Sequence, residues 1–463
     1  MMMDRRDFVK SAGVIAAISS LDLSNMAKAS HDAPNMIRIV NTQSNFEREK
    51  LLRPFGFKGG YLTELWQIAS QMQSSSGISK IGIATQSVLY GDADLFPLHS
   101  ESNGNALMYV LANKALDIVK NTSFTTPIEL FDKILPSVLT EGKKITGKPD
   151  LNINFVYNAL VSVDNAAWLI YAAENKFNTF EAMIPFPYKK ALSHRNEKIA
   201  IMYQIPYGMP MEDIKTAAKQ GYFVFKIKTG YPGSQPEMLK GDMDRLTLIH
   251  DTLKDLRTGH TIDGKLIYTM DANARYEKKA TLQKYLDHAK KIGAFERILL
   301  YEEPLNENNE ENVSDLGLRI GADESAHDEA SSIKRLDQGY NVLVLKGIAK
   351  TLSMSINLAK LAAERNIPCM CADLTVNPIL VDWHKNLAAH LAPFPVINMG
   401  LMETNGNMNY ANWDAMVKYH PDSDASWCQR NNGVFELNND FYDRSGGMFE
   451  PSSHYQEMFR KRI

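Results

Sequence analysis

Cysteine is nearly absent: three in 463 residues cannot make a disulfide framework, even in an oxidising compartment. Cys369 and Cys371 stand two apart on a stretch that reads as a strand, facing one way as small core residues. No His or Cys at metal-site spacing accompanies them, which argues against a metal site on the pair. An excess of one charge is also missing. The 51 basic and 54 acidic residues leave a net −3, so nothing calls for nucleic acid or an anionic membrane surface as partner. No apolar run is long enough to span a bilayer. Internal repeats and low-complexity tracts are lacking too. What remains is a globular composition, 44% hydrophobic, with length for two or three domains around a large core.

The N-terminus carries its own signal. "DRRDFVK" (4–10) precedes the mildly apolar "SAGVIAAISSL" and then "AKAS" at 27–30. A charged start, a short apolar middle and an Ala-x-Ala site predict a cleaved export signal over residues 1–29. Arg5 and Arg6, followed by Phe8 and Lys10, resemble the twin-arginine type, which exports folded proteins, so a periplasmic location is expected.

Residues 36–151 read as an α+β domain. "KIGIATQSVLYG" alternates like a strand, whereas "GYLTELWQIASQM" (60–72) and "NALMYVLANKALDIV" have helical spacing. "LLRPFGFKGG" (51–60) reads as a flexible loop that offers Arg53 and Lys58 to an anionic substrate group, and "LYGDADLF" (89–96) as a second loop. A long apolar helix covers 155–175. Strands and helices then alternate, from "KIAIMYQIPYG" through "YFVFKIKTG", "KLIYTMDAN", "RILLYEEPL", "RIGADES", "YNVLVLKG" and "IPCMCADL" to "FPVINMG". Eight strand–helix units predict an α/β fold with a closed (β/α)8 barrel over 152–400. Residues 401–463, polar and rich in Asn and aromatics, are expected to pack back on the first domain.

In such barrels chemistry sits at the C-terminal ends of the strands, and charge collects there in this sequence. Strand two ends in Lys226 and Lys228, strand three in Asp271, strand four in Glu302 and Glu303, strand five in Asp323 and Glu324, strand six in Lys346. One charged residue at a strand end needs only water to explain it. Five consecutive ends in the order Lys, acid, acid, acid, Lys suggest more. Three converging carboxylates repel one another unless a cation stands between them, and oxygen-only ligands suit Mg2+, with Mn2+ as the alternative.

The set "KIK" (226–228), "DAN" (271–273), "EEP" (302–304), "ADES" (322–325) and Lys346 resembles the enolase superfamily, in its branch of muconate-lactonising enzymes and dipeptide epimerases. "VSVDNAAWL" (161–169) is similar to the helix that joins cap to barrel in that family. The resemblance implies a capping domain over a barrel and Mg2+ held by Asp271, Glu302 and Asp323, with Asn273, Glu303 and Glu324 supporting those ligands. It implies Lys228 as base, Lys346 as acid or base on the other face, and Lys226 as a contact to the substrate carboxylate. A small carboxylate substrate and a homo-oligomer are expected with it.

The shared chemistry of the family is removal of a proton next to a carboxylate, giving an enediolate. A lysine serves as base near neutral pH only if its pKa falls from about 10.4 toward 7, which takes about 4 to 5 kcal/mol. The expectation is that Lys226, on the same strand face, repels a second ammonium and so activates Lys228. Lysines on opposite faces suit racemisation or epimerisation of an amino-acid derivative or dipeptide-like acid. The same pair also serves cycloisomerases and eliminations, and an exported solute-binding protein is the non-catalytic rival. The family's Asp-x-Asp on strand eight, which holds a substrate ammonium, aligns with Asn398 and Gly400, and Asp373 is a candidate substitute.

Overall fold

Of the residues expected as a loop (51–60) and a helix (60–72), 51–57 and 60–72 lie instead on the two strands of one long β-hairpin. β1 (Ile37–Phe57) runs antiparallel to β2 (Gly60–Ser74), with Phe57 opposite Gly60 and Ile39 opposite Ser74. The apolar residues Leu62, Leu65, Trp66 and Ala69 fit a helical period. Pairing with β1 on one edge and β3 (Ser79–Gln86) on the other outweighs that local preference. β4 (Ser123–Phe124) completes the sheet in the order β3-β2-β1-β4. This computed structural model describes residues 35–57 and 60–460; the expected signal at 1–29 and Lys58 lie outside them.

The helix Ile153–Glu174 lies across β2 and β3 and is buried along nearly its whole length. It therefore belongs to the cap, not to a barrel starting at residue 152. Close approach is possible because residue 82 is glycine: a Cβ there would stand 2.2 Å from Ala166 N and Ser162 O. The same helix reaches the barrel, where Asp164 accepts hydrogen bonds from Ser353 N and Oγ and Trp168 Nε1 donates to Ser353 Oγ.

The barrel strands are β5 (Lys198–Ile205), β6 (Val224–Lys228), β7 (Ile267–Asp271), β8 (Ile298–Glu302), β9 (Ile320–Ala322), β10 (Val342–Leu345), β11 (Cys369–Cys371) and β12 (Gly400–Glu403). Each pairs in parallel with the next, and β12 with β5 closes the ring. Cys369 and Cys371 are buried in β11 as packing residues. Strand eight begins at Gly400 where the sequence reading ended it, so the barrel extends beyond residue 400. The segment after it serves both parts of the fold. A hairpin, β13 (Arg430–Asn431) and β14 (Val434–Glu436), pairs with β5 at residues 198–200, below the point where β6 takes over at Met202. Tyr410 reaches the cap through Gln67, and His454 through Glu47. Among the described residues no helix is long and apolar enough to cross a membrane.

Candidate active site at the barrel mouth

Every strand-end charge predicted from sequence points into or lies just behind the barrel mouth. Lys226 and Lys228 share a face, as alternation requires, and both ammoniums meet Asp271 Oδ2. Lys228 also donates to Asn273 Oδ1 at 3.0 Å, while Asn273 Nδ2 donates to Glu324 Oε1 at 2.9 Å. Lys346 pairs with Asp323 Oδ2 and lies 4.9 Å from the centre of the Tyr90 ring. One chamber is lined by Lys226, Lys228, Asp271, Asn273, Glu324, Lys346 and Asp373. Strands β6 and β10 are four steps apart in an eight-stranded ring, so Lys228 and Lys346 face each other across it.

The backbone turns sharply at these positions. Asn273 (φ +45), Ala274 (+65) and Glu303 (+38) adopt left-handed conformations, which cost energy for residues with a Cβ. At Glu303 the turn sends consecutive acids opposite ways. Glu302 faces the barrel interior, and Glu303 accepts from Asp323 N, Ser325 N and Ser325 Oγ behind the site. Burial, then Glu324, raise the Glu303 carboxyl to about 7.

Lys226 departs from expectation. It is buried, with Asp271 at 3.0 Å, Glu302 at 2.7 Å and Glu403 at 2.9 Å. Burial works against its charge, yet the three carboxylates hold its pKa well above the usual lysine value. An ammonium has three donors, and three carboxylates meet it. Its three donors are thus met by protein carboxylates, and its positive charge is neutralised beside Lys228. Asp271 Oδ2 meets both of the ammoniums expected to repel each other.

Glu403 is the residue that sequence reading missed. It ends strand eight, where Asn398 and Gly400 were expected to stand; those two lie before or at the strand's start. Gln204 Nε2 donates to Glu403 Oε1 at 2.9 Å and Asn405 Nδ2 donates to Gln204 Oε1 at 3.2 Å. The signal was present: "GLME" is an apolar run ending in acid, like "ILLYE" of strand four. Asp373 does not cap the following helix, which Asn377 caps. It receives N–H bonds from Leu374, Val376 and Asn405, and burial together with Glu403 raises it to about 7. Lys350 was also missed. It is buried, donates to the Asp323 and Ala326 carbonyls, and has its pKa lowered, chiefly by burial. Arg53 does not line the chamber between the lysines; it stands on the wall of a neighbouring cavity that Lys228 also lines.

The donor chemistry suits a hard divalent cation. Asp271, Glu302 and Asp323 offer only oxygens and are buried. Glu302 Oε1 receives no hydrogen bond, while Glu302 Oε2 and Asp323 Oδ1 are met only by ammoniums, Lys226 at 2.7 Å and Lys350 at 3.5 Å. Burial, then Asp271, push the Glu302 carboxyl well above its ordinary value, the state expected of an acid short of positive charge. An ion and the Lys226 ammonium would compete for the same oxygens. The three acids stand apart: among the described residues the only His, Cys, Asp or Glu trio with ligand atoms all within 4.8 Å is Asp382, His420 and Cys428. That trio is a hydrogen-bonded anchor. His420 Nδ1 accepts from Asp422 N, so Nε2 carries the ring proton and donates to Asp382 Oδ2 at 2.9 Å, leaving no nitrogen lone pair for a metal.

The sequence matches no protein-family model and no curated protein. Solved structures do resemble the fold. A mandelate racemase/muconate lactonizing protein from Herpetosiphon aurantiacus is 13% identical with a TM-score of 0.60, covering 87% of this chain and 96% of that one. A dipeptide epimerase from Cytophaga hutchinsonii, complexed with Mg and D-Ala-L-Val, is 16% identical with a TM-score of 0.57, covering 81% and 88%. A member of the enolase superfamily from Listeria innocua is 15% identical with a TM-score of 0.57, covering 81% and 88%. The chain has the capped-barrel fold of these proteins.

Proposed function

We propose that this protein moves the proton on the carbon next to a carboxylate, as a racemase or epimerase acting on an amino-acid derivative or a dipeptide-like acid. One observation carries the reading: Lys228 and Lys346 open into one chamber from diametrically opposite strands. A carbon held between them can lose a proton to one face and regain it from the other. Lys346 starts as the donor. Burial lowers its pKa, but Asp323, Tyr90 and the nearby glutamates raise it well above the usual value, so it holds its proton until the carbon becomes basic. Lys228, oriented by Asn273 and Asp271, is placed to accept. Both must be able to exchange roles for the reaction to run in either direction.

Mg2+ is the cation proposed for Asp271, Glu302 and Asp323, where it would stabilise negative charge building on the substrate carboxylate. The reading extends to location: the Arg5–Arg6 segment directs export, and replacing both arginines by lysine is expected to leave the protein in the cytoplasmic fraction.

The test is α-proton exchange in D2O with Mg2+, followed by NMR on N-acyl amino acids and dipeptides of each configuration. Exchange with inversion supports the reading; exchange with loss of water moves the protein to the eliminations. Binding that raises Tm without any exchange overturns it in favour of a binding protein. Lys228→Ala and Lys346→Ala should each suppress exchange by about 10²–10⁴-fold, the usual size of a general acid–base contribution, with opposite substrate configurations hit first. Chelation should abolish exchange, and Mg2+ should restore it while raising Tm by mass action.

A further inference from the structure

Three spaces of very different size and chemistry meet at the lysines. The chamber between them encloses only about 40 Å3. A water needs about 10–15 Å3 by this measure, so the chamber suits a carboxylate and its neighbouring carbon and little else. Beside it lies a cavity of about 710 Å3 that shares Phe55, Gln204, Lys228 and Asn273 with the chamber. On the Tyr90 side lies an open lobe of about 1040 Å3, walled mostly by polar groups including Asp92, Asp94 and Glu307. A substituent on the reacting carbon must leave the chamber, and the 710 Å3 cavity is the exit with apolar walls.

Those walls are specific. Tyr207 and Tyr231 meet edge to face, with centroids 6.0 Å apart and planes at 87°, forming a corner into which a flat ring can slide. Tyr203 continues the barrel side, and Phe55 and Tyr61 of the β1–β2 hairpin form the opposite side. Two guanidiniums, Arg53 and Arg275, line the same cavity, and Arg275 also acts electrostatically on the buried Asp242 carboxyl. The Arg275 stem lies against Gly230 (φ +84), where a Cβ would come within 2.7 Å of it, so its course is fixed by that glycine. Among the described residues, Asp213 is the one acid on these walls.

We infer that the substrate carries an aromatic arm ending in a second negative charge, with the ring in the Tyr203–Tyr207–Tyr231 corner and the anion at Arg275 and Arg53. The inference rests on the proton-transfer reading of the chamber, and adds the part of the molecule that the chamber cannot hold.

The experiment uses the full chain with Mg2+ and three acids that share one head: N-acetylalanine, N-(phenylacetyl)alanine and N-(4-carboxyphenylacetyl)alanine. Calorimetric affinity and α-proton exchange are both measured. Affinity should rise about tenfold or more at each step, for the ring and then for the charge. Tyr231→Ala, at a half-exposed position, should cancel the first gain, and Arg275→Gln the second. Equal affinity and equal exchange across the series overturn the arm and leave proton transfer standing. Graded affinity without exchange supports the arm and overturns proton transfer. Absence of both binding and exchange for all three overturns the inference.

Discussion

Glu403 and Lys226 show how one buried charge is shared among strands that lie far apart in sequence. Lys226 on β6 is met by acids from β7, β8 and β12. Burial raises the Glu403 carboxyl, but Lys226 and then Lys228 outweigh it and hold it below its usual value. Glu403→Gln removes one negative partner from a buried ammonium. Breaking a buried pair costs about 3–5 kcal/mol; with two acids remaining, about 2 kcal/mol is expected by urea denaturation. An unchanged midpoint would mean that Asp271 and Glu302 suffice. At this scale the candidate site was largely legible: strand-end charges follow from alternation and from the apolar runs before them. The partnership of Lys226 was not, because alternation fixes the face of a residue and not which distant strand closes beside it.

At the level of elements, two contacts join the cap helix Ile153–Glu174 to its surroundings. The first is steric. Gly82→Ala would put a methyl into helix backbone at 2.2 Å, with no side chain able to yield, so a loss of about 3 kcal/mol or more is expected from a drop in Tm. The second is electrostatic. Asp164, fully buried, has its carboxyl raised by burial to about 7, despite bonds from Ser353 and Trp168. A folded-state pKa above the unfolded one means the native state binds the proton more tightly. Its contribution is full below about pH 4 and is lost as pH rises through 7, a change of up to about 4 kcal/mol. Glu303 and Asp373 shift the same way, so the test is a difference: wild-type stability minus that of Asp164→Asn should fall between pH 4 and pH 8 and then level off. A flat difference would show that Asp164 stays ionised or finds another cation. Segment 60–72 marks the limit of reading elements locally, since its helical spacing is real and its strand pairing is decided by β1 and β3.

On the scale of the whole molecule, from Ile37 onward the chain forms one compact unit, and its C-terminal segment is part of the reason. β14 occupies the edge of β5 that β6 leaves open, Tyr442 donates to Asn196 O at 2.6 Å, and Tyr410 donates to Thr375 O at 2.6 Å while accepting from Gln67. Lys385 and Asp382, both buried, depend on Trp427 O and His420 for their remaining partners. A chain ending after Thr404 would strip these groups at once. It is expected to be insoluble or to lose its cooperative thermal transition, measured against the full chain by calorimetry.

The sequence by itself determined the repeating strand–helix rhythm and the charge at each strand end, because both follow from local periodicity and from where apolar runs stop. Only the tertiary structure decided where strand eight begins, that Lys226 spends its charge on three acids, and that the hairpin of the cap walls an aromatic cavity. Those depend on ring closure and on packing between segments as much as about 200 residues apart, and no local pattern encodes such a distance.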